Sequence, residues 1–224
     1  MRWYLLLLLL VLTGCGVSEP MEDASILPVQ AVPESEPAPM PEPEAADFVR
    51  VQEYLPDILV DLKYAGAENF TGQAVYDFTD AYLRYGTVQK FSSALDILMD
   101  QGYTLLIWDA FRPTQAQFRL WEICPDPVYV ANPETGFSSH SRGNTVDLTL
   151  AALDGEPVEM PTDFDDFSPL ADRDYSDVPA SAAANAQLLE DVLTACGFQP
   201  YTGEWWHFSD LDNYPVEESW SPPK

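Results

Sequence analysis

The chain contains only two histidines, and each stands in a stretch that also carries a carboxylate. His140 lies in Ser138-Ser139-His140-Ser141-Arg142-Gly143-Asn144-Thr145-Val146-Asp147, and His207 ends Gly203-Glu204-Trp205-Trp206-His207. Two imidazoles and one carboxylate form a common hydrolytic zinc set that leaves a fourth position for water. His140, Asp147 and His207 can supply that set. Glu204 is then a spare carboxylate beside a ligand, suited to take a proton from water. Either histidine taken alone could equally be an ordinary core or surface residue. In a regular strand Glu204 and His207 would point to opposite faces, so Glu204 must sit at the strand's start, where Gly203 permits a turn.

The same segments carry a resemblance. Ser-x-His-x-x-Gly-x-x-x-Asp from Ser138 to Asp147, continued by Leu148-Thr149-Leu150, resembles the signature of zinc D-alanyl-D-alanine peptidases. Glu204-Trp205-Trp206-His207 is similar to the second signature of that family. Two further stretches resemble the VanX-type D-alanyl-D-alanine dipeptidases in particular. They are Asp61-Leu62-Lys63-Tyr64-Ala65, running into Asn69-Phe70-Thr71-Gly72, and Asp109-Ala110-Phe111-Arg112-Pro113. The similarity covers roughly residues 50–215, with the motifs in the family's order.

This resemblance implies one zinc ion per chain, held by His140, Asp147 and His207. It implies Glu204 as general base, Arg112 as transition-state stabiliser, and Ser138 and Tyr64 as residues that hold the dipeptide. Asp165 matches an aspartate that grips the substrate ammonium. The stretch departs from the family there, because Pro161 stands where glycine is usual, so Asp163 or Asp166 could take that role instead. The loop from Pro125 to Gly136 is short against VanX-type enzymes and leads directly into the site, which leaves the pocket width open.

The chemistry expected of such a set is amide hydrolysis. Zinc lowers the pKa of bound water toward about 7 and polarises the carbonyl, while Glu204 accepts the water proton and passes it to the leaving amine. A fixed guanidinium at Arg112 can stabilise the oxyanion by a few kcal/mol, whereas a surface salt bridge at the same place would contribute at most about 1 kcal/mol. Ser138 could instead cap its loop, Tyr64 could be a core tyrosine with a satisfied hydroxyl, and Trp205 and Trp206 read as packing that excludes water around the metal.

These residues need a scaffold. Ile58–Tyr64 alternates toward its end and predicts a strand. Val88, Phe91, Leu95 and Leu98 recur at helical spacing and predict a helix over about 87–100. Tyr103–Ala110 predicts a buried strand, 113–123 a helix begun by Pro113, Val146–Leu150 a strand, Ser181–Cys196 a helix stopped by Gly197, and Tyr201–Phe208 a strand. The elements are mixed without regular βαβ alternation, which predicts an α+β fold with a largely antiparallel sheet flanked by helices. The resemblance implies the same, with the zinc site on the sheet as in D-Ala-D-Ala peptidase and hedgehog-like folds.

The beginning of the chain reads differently. Arg2, the apolar run Trp3–Leu12 and the small residues after it follow the plan of a secretory signal peptide over residues 1–14, too short to span a bilayer. Leu12-Thr13-Gly14-Cys15 resembles a bacterial lipobox, which implies lipidation of Cys15 and membrane attachment through it at the cell envelope. Gly16–Ala46 holds seven prolines, seven acidic residues and no Lys or Arg, so 15–46 is expected to be a disordered tether. The domain is expected over 47–224, with 9 basic and 30 acidic residues. The whole chain, at a net charge of −27, lacks the clustered Lys and Arg that nucleic-acid binding needs. Cys124 and Cys196 could pair outside the cytoplasm, although Cys196 also reads as a small buried apolar residue late in a helix.

The leading expectation is a zinc dipeptidase acting on a small D-amino-acid dipeptide, with no protein partner. The alternatives are a D,D-carboxypeptidase trimming peptidoglycan stems and a non-catalytic binding lipoprotein. An ammonium-binding carboxylate near the site would restrict it to dipeptides, whereas an open groove would admit stems.

Overall fold

The structure is a computed structural model and describes residues 41–224. Cys15, the signal segment and most of the expected tether lie outside the described residues. The tether's last residues pack on the domain. The Tyr85 hydroxyl donates to Glu42 Oε1 at 2.6 Å, Arg84 Nη1 donates to the Ala46 carbonyl at 2.7 Å, and the Gly86 N–H donates to the Ala45 carbonyl at 3.0 Å.

The elements run β1 (Phe48–Arg50), α1 (Val51–Tyr54), β2 (Leu59–Val60), β3 (Tyr82–Arg84), α2 (Tyr85–Met99), β4 (Tyr103–Asp109), α3 (Thr114–Ile123), β5 (Thr145–Ala152), α4 (Ala180–Ala195), β6 (Phe198–Pro200) and β7 (His207–Asp210). Five strands form one sheet in the order β2-β4-β5-β7-β6, and β1 pairs with β3 separately. Only β2–β4 is parallel in the large sheet; the other three pairings are antiparallel. The fold is therefore α+β and largely antiparallel, as expected.

Strand alternation divides the large sheet into two unlike faces. Val146, Leu148 and Leu150 of β5 stand on the same side as Leu105 and Ile107 of β4, and all five are buried. Helices α2 and α4 cover this side. Phe91 of α2 meets Phe198 of β6 at a ring-centroid distance of 4.3 Å, and Leu189 and Leu193 of α4 are fully buried. The α2 stripe of Val88, Phe91, Leu95 and Leu98 is the one its spacing predicts, and truncating a buried Phe such as Phe91 to Ala would cost about 3–5 kcal/mol. The opposite side of β5 presents Thr145, Asp147 and Thr149, and this polar side carries the chemistry.

Two expected strands are corrected. Only Leu59–Val60 of the Ile58–Tyr64 run is extended, and Lys63–Ala65 coils into a 3-10 turn. Asn69 holds that turn by donating to the carbonyls of Lys63, Gly66 and Gln73. Tyr201–Trp206 is a turn rather than a strand, with β7 starting only at His207. Its closing backbone bonds, Glu204 N–H to the Tyr201 carbonyl and His207 N–H to the Glu204 carbonyl, replace a ladder. Cys124 and Cys196 are both free thiols. Among the described residues, no helix is long and apolar enough to cross a membrane.

Candidate metal centre

Strand register builds the first half of the site. In the β5–β7 ladder Asp147 lies directly across from His207. Side chains of directly opposed residues emerge on the same face, so the carboxylate and the imidazole are brought together, with Oδ1 to Nδ1 at 2.9 Å.

His140 arrives from the 3-10 turn Ser139–Arg142, which leads into β5. Ser138 caps this turn, its Oγ accepting from the His140 N–H at 3.3 Å. Gly143 ends the turn at φ 76°, a left-handed conformation open to glycine, and a Cβ there would lie 2.3 Å from the Phe48 ring. The tight turn delivers His140 Nε2 to 3.4 Å from both Asp147 Oδ2 and His207 Nδ1.

One ligand atom from each of His140, Asp147 and His207 falls within 4.8 Å of the others. The other His140 nitrogen, Nδ1, lies 2.9 Å from the Ala110 carbonyl, which keeps its proton there and turns the Nε2 lone pair toward Asp147. The other His207 nitrogen lies 3.5 Å from Ser139 Oγ. Two oriented imidazoles and a carboxylate suit zinc.

Glu204 follows from the Tyr201–Trp206 turn. Its Oε2 sits 3.5 Å from His207 Nδ1, beside the cluster but outside the ligand set. Burial, together with the neighbouring Asp147 carboxylate, raises its pKa above the usual carboxylate range, the direction that suits a general base working near neutral pH.

Arg112 is held by residues to which the sequence reading gave no role. Nε and Nη2 donate to Asp109 Oδ2 at 3.2 and 2.6 Å, and Nη1 donates to Gln117 Oε1 at 3.0 Å. Asp109 Oδ1 accepts from the Tyr76 hydroxyl at 2.7 Å and the Ala110 N–H at 2.9 Å. A bulge in β4 makes this possible. An unbroken ladder would continue from Ile107–Leu148 to place Asp109 across from Val146, on the helix side. The register shift places it across from Asp147 instead. Burial opposes the guanidinium charge, but Asp109 and its neighbours outweigh that, and Arg112 stays firmly protonated.

Tyr64 and Asp165 complete the enclosure. The Tyr64 hydroxyl donates to Asp165 Oδ2 at 3.0 Å. Asp165 adopts φ 57°, the only non-glycine residue with positive φ among the described residues. Burial first, then the Asp147 carboxylate, push its pKa up to about 7. Asp163 and Asp166 face a separate groove of about 690 Å³, so of the three aspartates only Asp165 reaches the site.

All eight site residues expected from the sequence line one cavity of about 120 Å³. The rest of its wall comes in part from the Pro125–Gly136 loop expected to lead into the site, while Phe167 had no expected role. Tyr129 and Ala131 come from the short loop after α3, and Phe167 from the loop carrying Asp165, with the Tyr129 and Phe167 ring centroids 4.7 Å apart. The loop is tied back to the site through Gln117 Nε2, which donates to the Ala131 carbonyl at 2.7 Å. Trp206 lines the cavity, while Trp205 is fully buried, its indole N–H on Thr162 Oγ1 at 2.9 Å. Three carboxylates, Asp147, Glu204 and Asp165, converge here, while the only guanidinium is already committed to Asp109. Burial and the neighbouring Asp147 raise the pKa of both Glu204 and Asp165, and a cation among these groups would favour their charged forms.

A His-Asp-His cluster on the polar side of the sheet, with Glu204 beside it and Arg112 anchored nearby, suits metal-assisted hydrolysis. The comparisons agree: the D-ala-D-ala dipeptidase family of peptidases, M15, matches residues 44–221, and the chain belongs to this family. A D-alanyl-D-alanine dipeptidase from Escherichia coli (strain K12) is 37% identical over 175 residues, covering 77% of this chain and 90% of that protein. One from Streptomyces coelicolor is 36% identical over 191 residues, covering 73% and 91%. One from Enterococcus faecium is 32% identical over 189 residues, covering 75% and 94%.

Proposed function

We propose that this protein hydrolyses the free dipeptide D-Ala-D-Ala, releasing D-alanine. The observation that carries this is the confinement of Asp165 with the His-Asp-His cluster in one cavity of about 120 Å³. A carboxylate in so small a space offers a partner for a free ammonium and leaves little room for a longer stem.

His140, Asp147 and His207 would hold zinc, which supplies a Lewis acid for the amide carbonyl and lowers the pKa of water. Glu204 accepts a proton from the attacking water and delivers it to the departing amine. Arg112, fixed by Asp109 and Gln117, faces the negative charge that develops on the carbonyl oxygen. Asp165, oriented by Tyr64, takes the substrate ammonium, and Ser138 stands by to bond the substrate carboxylate. Buried Trp206 keeps bulk water out.

The test is zinc-dependent hydrolysis of D-Ala-D-Ala beside its N-acylated form. Rapid turnover of the free dipeptide only is expected. Preference for the acylated form or a longer stem would favour a D,D-carboxypeptidase, and turnover of neither would favour a binding protein. We further propose attachment to the cell envelope through a lipidated Cys15. Membrane fractions should retain the protein and lose it in Cys15→Ala; retention of that variant would refute the anchor.

A further inference from the structure

Arg173 lies outside the cavity, yet it gathers the neck of the turn that carries Glu204 and His207. Its Nε donates to the Tyr201 carbonyl at 2.7 Å and its Nη2 to the His207 carbonyl at 3.0 Å. Its backbone N–H reaches the Thr202 carbonyl at 3.3 Å. The Tyr201 carbonyl also accepts from the Glu204 N–H, and the His207 carbonyl from the Tyr201 N–H. The guanidinium therefore shares two of the three carbonyl acceptors that set the turn, those of Tyr201 and His207, and leaves that of Glu204 to the His207 N–H alone.

Arg173 is itself anchored. Nη1 donates to Glu190 Oε2 of α4 at 2.9 Å and to the Tyr175 hydroxyl at 3.2 Å, and that hydroxyl donates to the same Glu190 oxygen at 2.9 Å. The guanidinium carbon lies 4.5 Å from the centroid of the Phe208 ring. Only 9% of the side chain is exposed. A planar fork with several donors suits this bridge, and a lysine cannot reproduce it.

We propose that Arg173 is a positioning residue that holds the Tyr201–His207 turn so that the Glu204 carboxylate and the His207 imidazole face the cavity together. Glu190 and Tyr175 link this clamp to α4. The inference rests on the roles proposed above for Glu204 and His207.

Arg173→Ala, Arg173→Lys and Glu190→Gln test it through three readouts: zinc affinity by chelator competition, kcat and KM on D-Ala-D-Ala, and melting temperature. Groups that orient metal ligands commonly change affinity or activity about 10–100-fold when removed. Arg173→Ala should lower zinc affinity and kcat within that range with little change in KM. Arg173→Lys should recover part of the loss, and Glu190→Gln should show a weaker effect in the same direction. Should the alanine variant fail to fold, the other two carry the same comparison. A lower melting temperature with wild-type zinc affinity and wild-type kcat per zinc-loaded site would overturn the proposal. Wild-type protein that binds zinc without cleaving the dipeptide would overturn the proposed activity instead, while zinc affinity still reports on the clamp.

Discussion

Asp147 and His207, separated by 60 positions in the chain, are direct partners across the β5–β7 ladder. Backbone pairing alone puts their side chains on one face. A slip of one residue would turn one of them toward the helices. The cluster is therefore a property of sheet register, and His140 is added by the turn that precedes β5.

Glu204→Ala should lower kcat by at least 10²–10⁴-fold, the usual worth of a positioned proton acceptor, while zinc stoichiometry stays at one per chain. Metal analysis beside steady-state kinetics checks this. Loss of zinc from the variant would make Glu204 a ligand and remove its assignment as base.

Asp109→Ala would leave Arg112 buried without its counter-charge. Breaking a buried ion pair in this way costs about 3–5 kcal/mol, whereas Tyr76→Phe removes one hydrogen bond worth roughly 1 kcal/mol. Urea denaturation should show that order, and Asp109→Ala should also lose turnover because Arg112 is no longer held. Equal, small effects would mean that Asp109 does not anchor the guanidinium.

Asp165 gives a pH dependence whose sign can be worked out. Its carboxyl titrates near 7 in the folded metal-free protein, against the ordinary value of 3.8. Between those values the folded state keeps a proton that the unfolded state has released, so stability falls as pH rises through this window. The penalty is absent below about pH 4 and complete above about pH 7. Metal-free Asp165→Asn should therefore melt higher than wild type at pH 8, with the gap closing on acidification. A gap independent of pH would show that burial of the Asp165 charge is not the cause.

Gly143→Ala should destabilise the fold by more than 1 kcal/mol, because it combines a strained left-handed φ with a collision against Phe48. Chemical denaturation checks it, together with zinc affinity, since the same turn presents His140. A neutral outcome would mean that Phe48 moves aside freely.

His140, Asp147, His207 and Glu204 were legible because there are only two histidines and each stands near a carboxylate, whereas Arg112, Ser138, Tyr64 and Asp165 were placed by the resemblance of their motifs. The supports were harder to see. Asp109, Gln117 and Tyr76 form a buried polar network that links three separate segments, and nothing in the local spacing of any one of them announces the others. The amphipathic stripe of α2 and the apolar run of β4 were placed within about two residues, whereas the three-residue strands β1, β3 and β6 offer too few alternations to register. Tyr201–Phe208 looked extended because of its aromatic content, but Arg173 draws both ends of that segment together into a turn.

The walls of the cavity and its ligands come from different kinds of backbone. His140, Asp147 and His207 are fixed by a short turn and two paired strands, while Tyr129, Ala131, Asp165 and Phe167 stand on two connecting loops. A loop can change length without disturbing a ladder. Selection, or an engineer, can therefore redraw what the enzyme admits while leaving its catalytic centre in place. Substitutions at Tyr129, Ala131 and Phe167 should alter the width of the cavity while the His-Asp-His cluster stays where the sheet holds it.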